Sequence, residues 1–287
     1  MLSRRRLLAL TITAGAVAAC GQPSGSSLER ARAVGTIRIG ISGEQPYSYA
    51  DADGRITGAQ PEVARAVLNR IGVPGLDAVQ VPFHDLIPRL RDGQFDLVAA
   101  GMAITPDRCR EVAFTRPDFV AFPAFLVPKG NPKKLRSFRD VARTGVRLAV
   151  LAGASEIGYA RAAGVPEEQL EIVDSQSALF RAVSEERVPA GALTRISLLD
   201  VLRRNPGSGL AVTDAVEPVV DGRKITPGAA FAVRIGEDDL LAAFDPALEQ
   251  LQASGEWLRI TEPFGFTREN LPPPDLTTAA LCRSSRP

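Results

Sequence analysis

Thr36-Ile37-Arg38-Ile39-Gly40-Ile41 places an isoleucine at every second position. A period of two puts those side chains on one face of an extended chain, so the stretch reads as a β-strand. Asp51-Ala52-Asp53-Gly54 downstream supplies a turn whose glycine accepts positive φ. Pro61 stands where the first helical position tolerates proline, and Val63, Val67 and Ile71 repeat every fourth residue on one face. Val79 and Val81 mark a second strand. Residues 84–91 carry Leu86, Ile87 and Leu90 at helical spacing until Gly93 stops them, and residues 95–100 form a third strand. Strand and helix in strict alternation predict an α/β fold with a parallel sheet covered by helices, because parallel neighbours need a crossover.

The alternation repeats after Pro128-Lys129-Gly130-Asn131-Pro132, a linker-like stretch. Strands are expected over residues 147–151, 170–173 and 190–193, with helices over 154–163 and around Ala178, Leu179, Ala182 and Val183. A last strand over 231–235 precedes a helical stripe of Leu240, Leu241, Phe244, Leu248 and Leu251. Asp245-Pro246 interrupts that stripe, which predicts a kink or two short helices.

Composition narrows the function. The 287 residues allow one large domain or two moderate ones at about 150 residues each, and 45% hydrophobic content supplies real cores. A net charge of +1 with no basic run beyond the first residues argues against nucleic acid, which needs a basic patch to displace counterions. A single histidine, His84, excludes paired-histidine metal sites, and no metal or other cofactor is expected. His84 itself reads as a solvated helix-start residue. No phosphate-cradling glycine loop and no G-x-S-x-G elbow occurs.

The first segment reads as an address. Ser3-Arg4-Arg5-Arg6-Leu7-Leu8 opens an apolar stretch of about 13 residues, the size of a signal h-region and short of the roughly 20 that span a bilayer. Val17-Ala18-Ala19-Cys20-Gly21 resembles a lipobox, so residues 1–19 are expected to be a signal peptide, Cys20 the lipidation site and 20–35 a tether. Both a twin-arginine and a plain secretory route fit, and a buried N-terminal helix is the structural alternative. These features place the chain outside the cytoplasm, membrane-bound only through the lipid. Cys109 and Cys282 then remain, and an even pair in an oxidising compartment suggests a disulfide, with two separate buried thiols as the alternative.

Several strings carry a resemblance. Phe83-His84-Asp85-Leu86-Ile87-Pro88-Arg89-Leu90, the Gly93-x-Phe95-Asp96 turn and Gly101-Met102-Ala103-Ile104-Thr105-Pro106-Asp107-Arg108 resemble the polar amino-acid (family 3) solute-binding proteins of ABC importers. Within that family, Glu44-Gln45-Pro46-Tyr47, Phe125-Leu126-Val127-Pro128-Lys129-Gly130-Asn131-Pro132, Gly255-Glu256-Trp257-Leu258 and Pro263-Phe264-Gly265-Phe266 are similar to the ectoine- and hydroxyectoine-binding branch. The resemblance implies a type II periplasmic-binding-protein fold: two α/β lobes joined by hinge strands with the ligand in the cleft. Lobe 1 would span 36–128 and 229–287, and lobe 2 residues 129–228. The partners implied are a small zwitterion, ectoine or hydroxyectoine, and the membrane permease subunits of the importer, with the binding protein monomeric.

Ectoine joins a carboxylate to a ring with a delocalised cation, so its capture needs an arginine, an acid and aromatic faces. By the resemblance, Arg108 takes the carboxylate, Glu44 the ring nitrogens, and Tyr47 and Phe83 form two walls, with Gly101 also among the substrate-binding residues. Ala103 departs from the branch, which shows a third aromatic there; Tyr49 or Phe114 is expected to fill the gap. From lobe 2, Ala154 and Ser155 at a helix start offer backbone N–H groups, and Gln176 and Thr194 offer polar contacts. Two other readings stay open: a binder of a polar amino acid or another small zwitterion, and a cyclohexadienyl-dehydratase-like enzyme with Glu44 as its acid.

Overall fold

A computed structural model describes residues 25–283. The signal segment expected over 1–19 and the lipidation site Cys20 lie outside the described residues. The expected tether does not run to 35, because Ser27–Val34 is a helix. Ser26 caps it in a reciprocal box with Glu29, and Leu28 and Ala31 are buried in the first-lobe core.

Two sheets carry the fold, and they share a plan. The first runs in the order Gly75–Gln80, Thr36–Ile41, Leu97–Ala103, Gly228–Val233 and Ala113–Phe114, with Phe119–Val120 also on Gly228–Val233. The second runs Leu170–Val173, Leu148–Leu151, Ala190–Thr194, Pro123–Pro128 and Leu210–Val212. In each, three parallel strands come first and the next is antiparallel. Ile37, Ile39 and Ile41 are all buried in the first core, as their period of two requires.

Three local expectations are corrected. Pro123–Pro128 pairs with Ala190–Thr194 and Leu210–Val212, so the chain enters the second lobe before Pro123 rather than after 128. The apolar run that ends at Val127 is a central strand, and the following Lys129-Gly130-Asn131 stretch is a turn inside that lobe. Of the two expectations at Pro246, the two short helices fall, because Asp238–Ala253 is one element. Its buried stripe of Leu240, Phe244, Ala247, Leu248 and Leu251 continues across the proline, and this packing offsets the roughly 3 kcal/mol an interior proline costs. Pro61 is the third residue of Ala59–Arg70, not the first, still within the turn whose N–H groups lack intrahelical partners.

The chain passes between lobes twice, and the two passages touch. Ala121 N–H donates to the Pro227 carbonyl at 3.2 Å, and Gly228 pairs with Val120. Close by, where Leu276 and Leu281 pack against Gly228, Cys109 and Cys282 are disulfide-bonded, tying the short helix Thr278–Cys282 to Pro106–Cys109. The thiol alternative falls. No helix among the described residues is long and apolar enough to cross a membrane.

Candidate functional site

Thr105-Pro106-Asp107-Arg108 builds the most specific part of the site. Thr105 is extended and its hydroxyl accepts the Arg108 N–H at 3.3 Å, while Pro106 supplies a first helical residue that needs no donor. This one-turn helix sits directly after the strand Leu97–Ala103 and presents Arg108 to the space between the lobes. Its guanidinium donates to the Ala103 carbonyl at 2.6 Å and, across the cleft, to the Gly153 carbonyl at 2.8 Å. It also lies 5.4 Å from the centre of the Phe83 ring, a cation–π distance.

The loop after Thr36–Ile41 brings Glu44 and Tyr47 to the same cavity. Tyr47 stacks on Phe119 with centroids 5.4 Å apart, and Gly101 lies beneath it. Gly101 adopts φ +69, and a Cβ there would come within 2.8 Å of the Tyr47 ring, so only glycine fits. The Gly101 N–H donates to Gln60 at 2.7 Å; Gln60 in turn donates to buried Asp118, which also accepts from Trp257 at 2.7 Å.

From the second lobe come Ala154 and Ser155, at the start of the helix Ser155–Ala162, and Thr194 at a strand end. No side chain caps that helix. Gly153, at φ +75, approaches the His84 backbone so closely that a Cβ would meet its Cα at 3.0 Å. Among the described residues, four side-chain hydrogen bonds bridge the lobes: Arg108 to Gly153, Tyr47 with Thr194 at 2.6 Å, Ser197 Oγ to Glu44 at 2.7 Å, and Gln176 Nε2 to the Gln45 carbonyl at 2.6 Å.

Electrostatically the cavity is acidic. Burial pushes Glu44 up to about 7, opposed by the Ser197 hydrogen bond and reinforced by Glu156. Burial likewise pushes Glu156 up to about 7, with Arg108 acting against it. Burial pulls Arg108 downwards. Among the described residues no cluster of acids, histidines and cysteines is arranged to hold a metal ion.

The sequence profile of the bacterial extracellular solute-binding proteins, family 3, matches residues 37–267. The chain belongs to that family. A probable amino-acid ABC transporter periplasmic-binding protein of Sinorhizobium fredii is 34% identical over 259 residues, covering 89% of this chain and 86% of the relative. The crystal structure of EhuB in complex with hydroxyectoine superposes with a TM-score of 0.81 at 30% identity, covering 90% of this chain and 98% of that one. The ancestral amino acid-binding protein described as a precursor of cyclohexadienyl dehydratase superposes with a TM-score of 0.72 at 26% identity, covering 83% and 99%. Membership establishes the type II two-lobe α/β fold, and implies a small amino-acid-like ligand and an ABC permease partner.

In this family 3 protein, Glu44, Tyr47, Phe83, Gly101, Ala103, Arg108, Ala154, Ser155 and Thr194 line one cavity. Gln176 does not; it lies in an adjoining recess behind Glu44, its amide donating to Gln45 and Ser197 and accepting from Arg204 at 2.7 Å. The gap at Ala103 is not filled as expected: Tyr49 belongs to an outlying hairpin, and Phe114 lines a separate cavity under the C-terminal tail. Phe119 and Tyr159 are the additional aromatics of the cleft. Sequence reading also missed Glu156 and Ser197. An acid in the first turn of a helix ordinarily signals a favourable dipole contact, and nothing in Ser155-Glu156-Ile157 reveals that this one faces inward. His84 leaves its imidazole half exposed beside Asp85.

Proposed function

We propose that the chain is the lipid-anchored, ligand-capturing subunit of an ABC importer, and that its ligand is a small zwitterion of the ectoine or hydroxyectoine kind. The observation that carries this is the placement of Arg108 and Glu44 on one buried cavity walled by Tyr47, Phe83 and Phe119. Arg108 receives the carboxylate, with the uncapped start of Ser155–Ala162 adding backbone donors. Glu44 receives the cationic nitrogens, and the stacked Tyr47 and Phe119 rings offer π faces to a delocalised charge. The similarity to EhuB supports the same ligand class.

A second reading, a polar amino acid, is favoured by Ala103, which leaves the aromatic enclosure incomplete at that wall. The relative in Sinorhizobium fredii supports it. Capture rather than turnover is the role in both readings, and the lobes then close on the ligand as a monomer. Calorimetry with ectoine, hydroxyectoine, proline and arginine tests the proposal: ectoine or hydroxyectoine is expected to bind most tightly, at one per chain. Tightest binding of an amino acid moves the assignment to the second reading. Turnover of prephenate or arogenate would replace both with an enzyme.

A further inference from the structure

The cleft holds more acid than a neutral zwitterion needs. Glu44 enters from the first lobe and Glu156 from the second, and they are 7% and 2% exposed. Among the described residues Arg108 is the only Lys or Arg that lines the same cavity, and its guanidinium is turned to two backbone carbonyls. Neither carboxylate has a Lys or Arg nitrogen at ion-pair distance among the described residues. The Glu156 carboxylate accepts its own backbone N–H, has a long contact to Ser155 Oγ, 3.4 Å, and feels Arg108 only through space. The other titratable groups facing it are Tyr159 on its own helix, and Glu44 with Tyr47 across the cleft.

With both acids ionised, Arg108 leaves the lining one negative charge in excess. A neutral zwitterion adds nothing to that sum, and an uncompensated buried charge is among the costliest arrangements a closed site can hold. A ligand with one carboxylate and two cationic groups brings the sum to zero. We propose that Glu156 is a charge-selecting residue of the ligand site, so that the cleft takes a ligand of net charge +1 directly and a neutral zwitterion only together with one proton. This rests on the assignment of Arg108 and Glu44 to the ligand's carboxylate and cation. Burial of both acids, which holds each at about 7, places the proton exchange near neutrality.

The two ligand classes therefore respond to pH with opposite sign. Uptake of one proton weakens binding by up to about tenfold per unit of rising pH, and release of one strengthens it by the same factor. The test is calorimetry on the full chain at about pH 6.5 and about pH 8.5 with L-arginine, its uncharged analogue L-citrulline, and ectoine. At the higher pH, arginine is expected to bind at least about tenfold tighter than citrulline, a difference of about 1.4 kcal/mol. Between the two pH values arginine tightens severalfold, whereas ectoine and citrulline weaken by about tenfold or more. Glu156→Gln leaves Glu44 and Arg108 to cancel, so it is expected to abolish the weakening of ectoine and citrulline with rising pH and to remove arginine's advantage, citrulline binding at least as tightly as arginine. If that variant does not fold, the opposed slopes of the unmodified protein decide. Binding without charge discrimination and without a pH slope, or slopes unchanged in Glu156→Gln, overturns this inference alone. Failure of all three to bind overturns the zwitterion assignment and this inference with it.

Discussion

Arg108 is where side-chain identity matters most. Its planar fork donates to carbonyls of both lobes while it lines the cleft, a geometry that a lysine ammonium cannot reproduce. Replacing it with alanine strands an acidic cavity, and breaking one partner of such a buried arrangement costs about 3–5 kcal/mol. Arg108→Ala is therefore expected to weaken ligand binding at least a hundredfold in calorimetry, and Arg108→Lys to recover only part of it. Affinity within threefold of the parent in the alanine variant would remove Arg108 from the site. Gly101 is constrained as tightly by backbone as Arg108 is by charge. Gly101→Ala combines positive φ with a 2.8 Å approach to Tyr47, so the ring must tilt off Phe119. A loss of about 1–3 kcal/mol in denaturant unfolding is expected, together with weakened binding. Unaltered stability would show that the loop absorbs the methyl.

Among the elements, the start of the helix Arg195–Arg204 does the most bridging. Ser197 at its third position donates to Glu44, Gln176 donates to Ser197, and Arg204, nearly two turns further along the helix, holds Gln176 while pairing with Asp200. Ser197→Ala removes a hydrogen bond to an acid, worth about 1.5–3 kcal/mol when the acceptor is charged. It is expected to weaken binding about tenfold or more and to raise the apparent pKa of Glu44, read by NMR titration of its side-chain carboxyl carbon. An unmoved titration would show that the bridge contributes nothing. Here the sequence was legible only in part. The period of two over Thr36–Ile41 describes contacts made within a few residues, so the strand could be read directly, whereas Thr105-Pro106-Asp107-Arg108 stood out only through the family resemblance and its cap came from the structure. Ser197, Glu156, Phe119 and Tyr159 acquire their roles from the approach of two sheets far apart in the chain, and no local pattern encodes that approach. The long helix through Pro246 shows the converse, a local signal overruled by a core stripe that runs past it.

At the level of the whole molecule, three buried acids contribute most of the upward-shifted carboxyls that link folding to pH. Glu44 and Glu156 sit at about 7 and Asp118 at about 6, each pushed up by burial. An acid raised in the folded state binds its proton more tightly there than in the unfolded chain. The stabilisation it gives is complete below the ordinary carboxylate range and is lost as pH rises through the folded value. The melting temperature is therefore expected to fall between pH ~4.5 and pH ~7.5, with Asp118→Asn shallowing the decline. A melting temperature that rises over this interval would contradict burial of these acids without a cationic partner. The disulfide acts over a similar span. It closes a sequence separation of 173 residues, for which chain entropy gives about 5 kcal/mol. Cys282→Ser is expected to lower unfolding stability by about 2–5 kcal/mol. Stability equal to the parent would mean that packing of the tail alone suffices.

The contact between Ala121 and Pro227 has a consequence for how such proteins diversify. Because the outgoing and returning chains are hydrogen-bonded side by side, everything between them is an insertion with neighbouring ends, closed on its own sheet. That cassette carries Glu156, Tyr159, Thr194 and Ser197, while the receiving framework keeps Glu44, Tyr47, Phe119 and Arg108. A graft at two adjacent points would change half of the ligand's surroundings in one event and leave the framework's interior as it was. Ligand repertoire in this architecture can thus be reassorted by recombination as well as built up one substitution at a time.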